Sequence, residues 1–177
     1  MTISSSGGGS LVNARALHFE HYVQKRIDQT SWAPGPPPRE LWQRTLRING
    51  RQIKDIDALA VSGSIVLLVS CKSIPYTPEY ERGDYGAVRN VRTHIEQSDV
   101  EWQERVNSLR QEPVGDNYNL EGCEIYGVVC TPFAVFAHRQ QTRVILGSAN
   151  SILRAVCSES ELENFLNSRS STGQSTV

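Results

Sequence analysis

Asp55-Ile56-Asp57 interrupts an otherwise apolar, strand-like run, and a second apolar run, Ile65-Val66-Leu67-Leu68-Val69, ends in Ser70-Cys71-Lys72. Two carboxylates on adjacent pleats repel one another unless something positive lies between them. A hard divalent cation such as Mg²⁺ accepts one or two carboxylates together with waters and substrate phosphate oxygens. A lysine beside it can orient or deprotonate an attacking water, or offset charge as a P–O bond breaks. A third carboxylate, Glu20, falls in a helical pattern with Val12, Ala16, Phe19, Val23 and Ile27. At about 100° per residue it lies roughly 60° from the centre of that apolar stripe. It can therefore complete a metal shell or hold a metal-bound water.

Strand periodicity says how these groups meet. Asp55 and Asp57 share one face of their strand, and Ser70 and Lys72 share one face of theirs. A two-residue turn at Ser62-Gly63 pairs Val61 with Ser64, which puts Asp55 opposite Ser70 and Asp57 opposite Leu68. Opposed residues project to the same side, so Asp55, Asp57, Ser70 and Lys72 are expected to cluster on one face. A turn one residue longer or shorter would break that arrangement.

The elements that must hold the cluster follow from the rest of the chain. A helix is expected over 11–28, and Pro34-Gly35-Pro36-Pro37-Pro38 then forms a stiff loop. Extended runs follow at 40–48, 52–61 and 64–73, the first two joined by the hairpin dipeptide Asn49-Gly50. A Pro- and Gly-bearing loop covers 74–86, and a second helix 88–110 carries Val91, Ile95, Trp102, Val106 and Leu109 on one stripe. A turn-rich connection spans 111–121, and a fourth strand is expected at 124–130. Shorter extended pieces follow at 135–137, 143–146 and 153–157, and the capping box Ser158-x-x-Glu161 opens a last helix reaching Asn167. The α-β-β-β-α-β order, with peripheral C-terminal strands and a closing helix, gives an α/β fold whose sheet is built partly from hairpins. Residues 1–10 read as a flexible Ser/Gly leader, 11–167 as one domain and 168–177 as a disordered tail.

The helix motif Phe19-Glu20-x-x-Val23, the element Asp55-Ile56-Asp57 and Leu67-Leu68-Val69-Ser70-Cys71-Lys72-Ser73 resemble the PD-(D/E)XK, or restriction-endonuclease-like, nuclease superfamily. Its Mrr-type and NERD-like branch is the nearest in pattern. The resemblance implies a restriction-endonuclease-like core with a mixed sheet flanked by helices, and a metal-dependent endodeoxyribonuclease using Mg²⁺ or Mn²⁺. It implies Asp57 as a metal-binding aspartate, Lys72 as the catalytic lysine and Glu20 as an accessory acid. The family carries Asp or Glu two residues before the lysine, where this chain has Ser70. Asp55, expected opposite Ser70, is the candidate replacement carboxylate. The alternative is an inactive nuclease-fold domain that binds nucleic acid or a protein partner.

The composition constrains partners and compartment. With 177 residues and a formal net charge of −1, bulk charge does not coat nucleic acid. Attraction to phosphate must come from a metal and from local arginines, for which Arg44, Arg89 and Arg92 are the candidates in nucleic-acid binding. The chain holds 18 Lys+Arg, yet only Lys25, Lys54 and Lys72 are lysines, and only Lys72 ends a central apolar strand beside the acids. Cys71, Cys123, Cys130 and Cys157 form no Cys-x-x-Cys pair and read as reduced thiols of a cytoplasmic protein, and the four histidines do not form a zinc set. No apolar run reaches the roughly 18 residues of a membrane span, so no membrane partner is expected. Sequence specificity is expected from a partner or a further domain.

Overall fold

The computed structural model describes residues 8–135, 143–148 and 151–170. Helix α1 (Gly8–Ile27) is followed by the strands β1 (Thr45–Ile48), β2 (Arg51–Asp55), β3 (Ala58–Ser62) and β4 (Ile65–Cys71). The short helix α2 (Pro78–Glu81) and the long helix α3 (Tyr85–Gln111) lead to β5 (Glu124–Thr131). The chain then forms β6 (Val144–Ser148), β7 (Ser151–Arg154), β8 (Val156–Ser158) and helix α4 (Glu159–Ser170). The central sheet has the order β3-β4-β5-β8, with β1-β2 and β6-β7 as separate two-stranded hairpins. β3 runs antiparallel to β4, whereas β4, β5 and β8 are parallel. The fold is thus mixed α/β, with a mixed sheet flanked by helices.

The strand sequences explain why this sheet is central. β4 is an apolar run whose neighbours β3 and β5 cover both of its edges, as a doubly buried strand requires. One face packs Ala58, Ala60, Leu67, Val69 and Val128 against Phe19, Val23 and Ile27 of α1 and Leu162, Phe165 and Leu166 of α4. The other face packs Leu59, Val66, Leu68 and Val129 against Ile95, Trp102, Val106 and Leu109 of α3, with Leu46 and Ile56 from the hairpin side. Gly127 lets α3 approach β5 closely: a Cβ there would lie 2.4 Å from Val106 Cγ2 and 3.1 Å from Trp102 Nε1.

Several boundaries differ from the sequence reading. The expected strand 52–61 is two strands in two sheets, broken at Ile56-Asp57. Continuing the β3–β4 register would set Ile56 opposite Cys71, but the Ile56 carbonyl instead accepts the Gln43 N–H at 2.9 Å. The turn into β4 is Gly63-Ser64, since Ser62 pairs with Ile65, so the whole register slides from the expected one. The expected run 40–48 begins as a short 3-10 helix at Pro38–Leu41, and only Thr45–Ile48 is strand. The run 153–157 divides at buried Ala155 between the β6-β7 hairpin and β8. Helix α1 begins at Gly8, inside the expected leader, and α4 runs to Ser170, beyond the expected end of the domain. Residues 136 and 137 of the expected piece at 135–137 lie outside the described residues, as do 1–7 and 171–177.

Two turn signals read as expected. Asn49 and Gly50 carry φ of 50° and 74°, the left-handed pair a tight hairpin turn needs, and join Ile48 to Arg51. At Ser158 the capping box closes both ways: its N–H donates to Glu161 Oε2 at 2.8 Å, and the Glu161 N–H donates to Ser158 Oγ at 3.3 Å.

The outer edge of β3 is closed by polar groups rather than by another strand. Gln24 of α1, 1% exposed, donates from Nε2 to the Leu59 carbonyl at 3.1 Å and accepts the Leu59 N–H on Oε1 at 2.7 Å. The Val61 N–H donates to the Trp32 carbonyl at 2.9 Å, and Trp42 Nε1 donates to the Asp57 carbonyl at 3.1 Å. A Gln24→Leu substitution strands both Leu59 groups in the interior. It should cost about 2–6 kcal/mol in urea unfolding, since each of the two unmet buried polar groups costs roughly 1–3 kcal/mol. An unchanged midpoint would show that β3 finds other partners.

Candidate functional site

The bend between β2 and β3 places the central acid. Asp57 Oδ2 accepts the Cys71 N–H at 2.8 Å and the Ser70 hydroxyl at 3.3 Å. The carboxylate thereby supplies, at the end of β4, an acceptor that a continued β3 backbone would otherwise have supplied. The slide in register is what brings it there. Asp57, not Asp55, is the residue drawn to Ser70.

The expectation for Asp55 is accordingly corrected. Asp55 ends the β1-β2 hairpin, paired with Thr45, and its carboxylate Oδ1 accepts the Thr45 hydroxyl. It does not stand opposite Ser70, because the strand expected to carry both aspartates is broken between them. Its charge still reaches Glu20, whose carboxyl it helps to raise.

Lys54 enters the site from β2, although of the three lysines only Lys72 is expected there. Its Nζ donates to Ser70 Oγ at 3.4 Å and lies 5.5 Å from the centre of the Trp102 ring. Lys72 follows β4 directly and is fixed through its backbone N–H, which donates to the Cys130 carbonyl at 2.8 Å. Beyond the effect of burial, Lys72 is near enough for its charge to lower the Lys54 ammonium further. A signal for Lys54 existed in the sequence: it is one of three lysines in an arginine-rich chain, beside Asp55. What was missing was the break in the strand, which turns its side chain toward Ser70.

Glu20 comes from α1, one helical turn before Gln24. Because Gln24 is anchored on Leu59, Glu20 is carried to the level of Asp57, two residues earlier in the chain. Arg15, another turn back, donates from Nε to Ser73 Oγ at 3.1 Å and from Nη2 to the Ser73 carbonyl at 3.2 Å, tying α1 to the segment after Lys72. The apolar stripe of α1 is buried only from Phe19 onward. Val12 is 55% exposed, because the first turns of the helix project past the sheet.

The electrostatics are those of four mutually dependent groups. Burial raises the Glu20 carboxyl above its ordinary range, and the Asp57 charge raises it further, against the lowering effect of Lys54. Burial also raises Asp57, opposed by Lys54 and by the Cys71 N–H. Burial lowers the Lys54 ammonium, and Lys72 lowers it further. The Cys71 thiol is pushed well up by burial and points into the packed face beneath α1, so it serves as a packing group.

The arginines expected to bind nucleic acid are held in different ways. Arg44 donates to the Asn117 carbonyl at 3.2 Å and lies 3.6 Å from Glu40. Arg92 lies 3.7 Å from Glu96 on its own helix, and Arg89 is exposed with its guanidinium 5.8 Å from the Tyr85 ring centre. In the loop after Lys72, Tyr76 and Tyr80 pack on Phe133, with ring centres 5.0 and 5.4 Å away. Tyr76 remains 59% exposed, so an aromatic wall flanks the end of β4.

The chain matches no family model, no curated protein and no solved structure. Among the described residues, no helix is long and apolar enough to cross a membrane, and all four cysteines are unpaired thiols.

The sign of the Asp57 shift gives a stability prediction. Its folded pKa lies above the unfolded value, so the folded state binds the proton more tightly. Stability is therefore lost as pH rises from the ordinary aspartate range through the raised folded pKa, and stays lower at neutral pH. Asp57→Asn keeps an acceptor for the Cys71 N–H and removes the buried charge. At pH 7 its Tm should exceed that of the wild type by a few degrees. The gap should narrow as pH falls below the raised value, which a thermal melt series in buffers of constant ionic strength reads directly.

Proposed function

We propose that this chain is a nuclease-like domain of the restriction-endonuclease-like kind that hydrolyses phosphodiester bonds in nucleic acid, with DNA as the substrate. The observation that carries the reading is the meeting of Glu20, Asp57 and Lys72 around the end of β4, with Asp57 anchored by the Cys71 N–H at 2.8 Å. Carboxylates beside a lysine at a strand end are what phosphodiester chemistry asks for. An anion must be brought to a site that can also activate water.

The donor set suits one divalent cation. Asp57 uses Oδ2 for its two hydrogen bonds, leaving Oδ1 without a hydrogen-bond partner among the described residues, and Asp57 disfavours the ionised form of Glu20, a repulsion that a shared cation relieves. Mg²⁺ needs no more than one or two protein carboxylates. A third is absent from this set, and among the described residues no group of three His, Cys, Asp or Glu side chains is arranged around a metal. Asp57 and Glu20 would hold Mg²⁺ or Mn²⁺, which when bound supplies Lewis-acid charge to the phosphate and a more acidic water.

The chain's own groups have separable tasks. Lys72 offers an ammonium to the non-bridging oxygens, whose charge grows as the phosphorus becomes five-coordinate. Glu20 brings the second carboxylate to the site from α1, and its ionised form, disfavoured by burial and by Asp57, is the one a bound cation would favour. Asp57 is held rigidly by two donors, so its geometry does not depend on the ligand.

Ser70 favours a second reading, in which the fold is kept for binding nucleic acid or a protein partner without cleavage. Its hydroxyl is neutral and already committed to Asp57. A plasmid-nicking assay with Mg²⁺ or Mn²⁺ separates the two. Cleavage by the wild type should fall at least about 100-fold in Lys72→Ala and in Asp57→Asn, the scale at which one acid–base or charge-stabilising group acts. Cleavage equal in all three proteins would end the enzyme reading. Ser70→Glu should raise the rate, because it adds a carboxylate to an assembled site. A rate unchanged by that substitution would show that Ser70 does not limit the site.

A further inference from the structure

Lys54 and Lys72 present an unusual juxtaposition. They come from different elements, β2 and the end of β4, and each is positioned independently. Lys54 is set by its contacts to Ser70 Oγ at 3.4 Å and to the Trp102 ring at 5.5 Å, while Lys72, two residues after Ser70 and so on the same face, has its main chain held by Cys130 at 2.8 Å and its charge within reach of Lys54 and Asp57. Among the described residues neither lysine forms a salt bridge, although seven such pairs occur elsewhere. Two ammonium groups brought together and partly withdrawn from water repel each other unless an anion lies between them. Asp57 attracts both, yet one of its oxygens is already occupied by the Cys71 and Ser70 donors.

The charge at the site points the same way. Glu20 and Asp57 are balanced by Lys54 and Lys72, and Ser70 adds nothing. An acid at position 70 would pair with the Lys54 ammonium directly. With serine there, the Lys54 ammonium has a neutral acceptor and, among the described residues, no salt-bridge partner.

We propose that Lys54 contacts substrate, forming with Lys72 a two-ammonium clamp on the non-bridging oxygens of a nucleic-acid phosphodiester. This rests on the reading of the site as a phosphodiester site and goes beyond it by assigning a residue outside the nuclease motif. The neutral Ser70 leaves the Lys54 ammonium available to the phosphate. The polymer is the committed ligand because the clamp deepens the reading of this same site as one for a nucleic-acid phosphodiester.

Binding of a short fluorescein-labelled DNA, single-stranded and duplex, can be followed by fluorescence anisotropy in EDTA across a salt series. A lysine that contacts phosphate contributes about one unit to the slope of log K against log salt. Lys54→Met should weaken binding and lower the slope by about one, while Lys54→Arg should retain the slope. The Tm of Lys54→Met should not fall below that of the wild type, because a desolvated ammonium is exchanged for an apolar chain of similar length. Wild-type slope and affinity in Lys54→Met would overturn the assignment. So would weaker binding with an unchanged slope and a lower Tm, the signature of a purely structural lysine. If Lys72→Met lowers the slope and Lys54→Met does not, the clamp fails while the phosphodiester reading stands. If the wild type shows no salt-dependent affinity for DNA, both fail together.

Discussion

The edge of β3 has backbone groups that must be satisfied, and the way they are satisfied organises the molecule. A strand edge with free N–H and C=O groups invites another strand. Here a side-chain amide takes that role, with Gln24 meeting both polar groups of Leu59 in a buried setting. This bidentate contact fixes α1 along the edge in rotation and in height. Glu20 is one turn back along the helix from Gln24 and Asp57 two residues back along the chain from Leu59, just before β3, so both arrive at the same place. The apolar contacts of Phe19, Val23 and Ile27 hold the helix down, but hydrophobic packing is non-directional. The amide supplies the register that packing alone does not.

The break at Ile56-Asp57 is the second organising feature, and it converts a structural need into a site. Once the chain leaves the ladder, the Cys71 N–H would be unmet. Asp57 meets it with a carboxylate, so a charged group is drawn to the end of the central strand and half-buried there. Burial then raises its proton affinity, and Lys54 and Lys72 act in the opposite direction. A site assembled this way opposes folding through its buried charges, and the packed sheet around it offsets that cost. Such a conflict between stability and local electrostatics is common where residues are kept for chemistry.

Much of this was legible in the sequence, and the parts that were not share a cause. The hairpin at Asn49-Gly50, the capping box at Ser158 and the apolar centre of β4 depend on neighbours a few residues away, so local pattern suffices. Asp57, Ser70 and Lys72 were also placed together correctly, because a register that slides by whole pairs preserves which face each residue occupies. Asp55 was misplaced and Lys54 overlooked for one reason. Local propensity runs unbroken through 52–61, and nothing in that stretch shows that its two halves join different sheets.

The residue types and their alternation thus determined, by themselves, that carboxylates and a lysine would converge at the end of an apolar strand. Side chains alternate across a strand whatever surrounds it, and a helix repeats at its own period. The tertiary structure alone decided which aspartate faces Ser70, which lysine joins Lys72 and how high Glu20 sits. Those choices depend on contacts between segments far apart in the chain: Gln43 with Ile56, Gln24 with Leu59, Lys54 with Trp102. Free energies of that kind are set by which partners remain for a buried polar group after the core has packed.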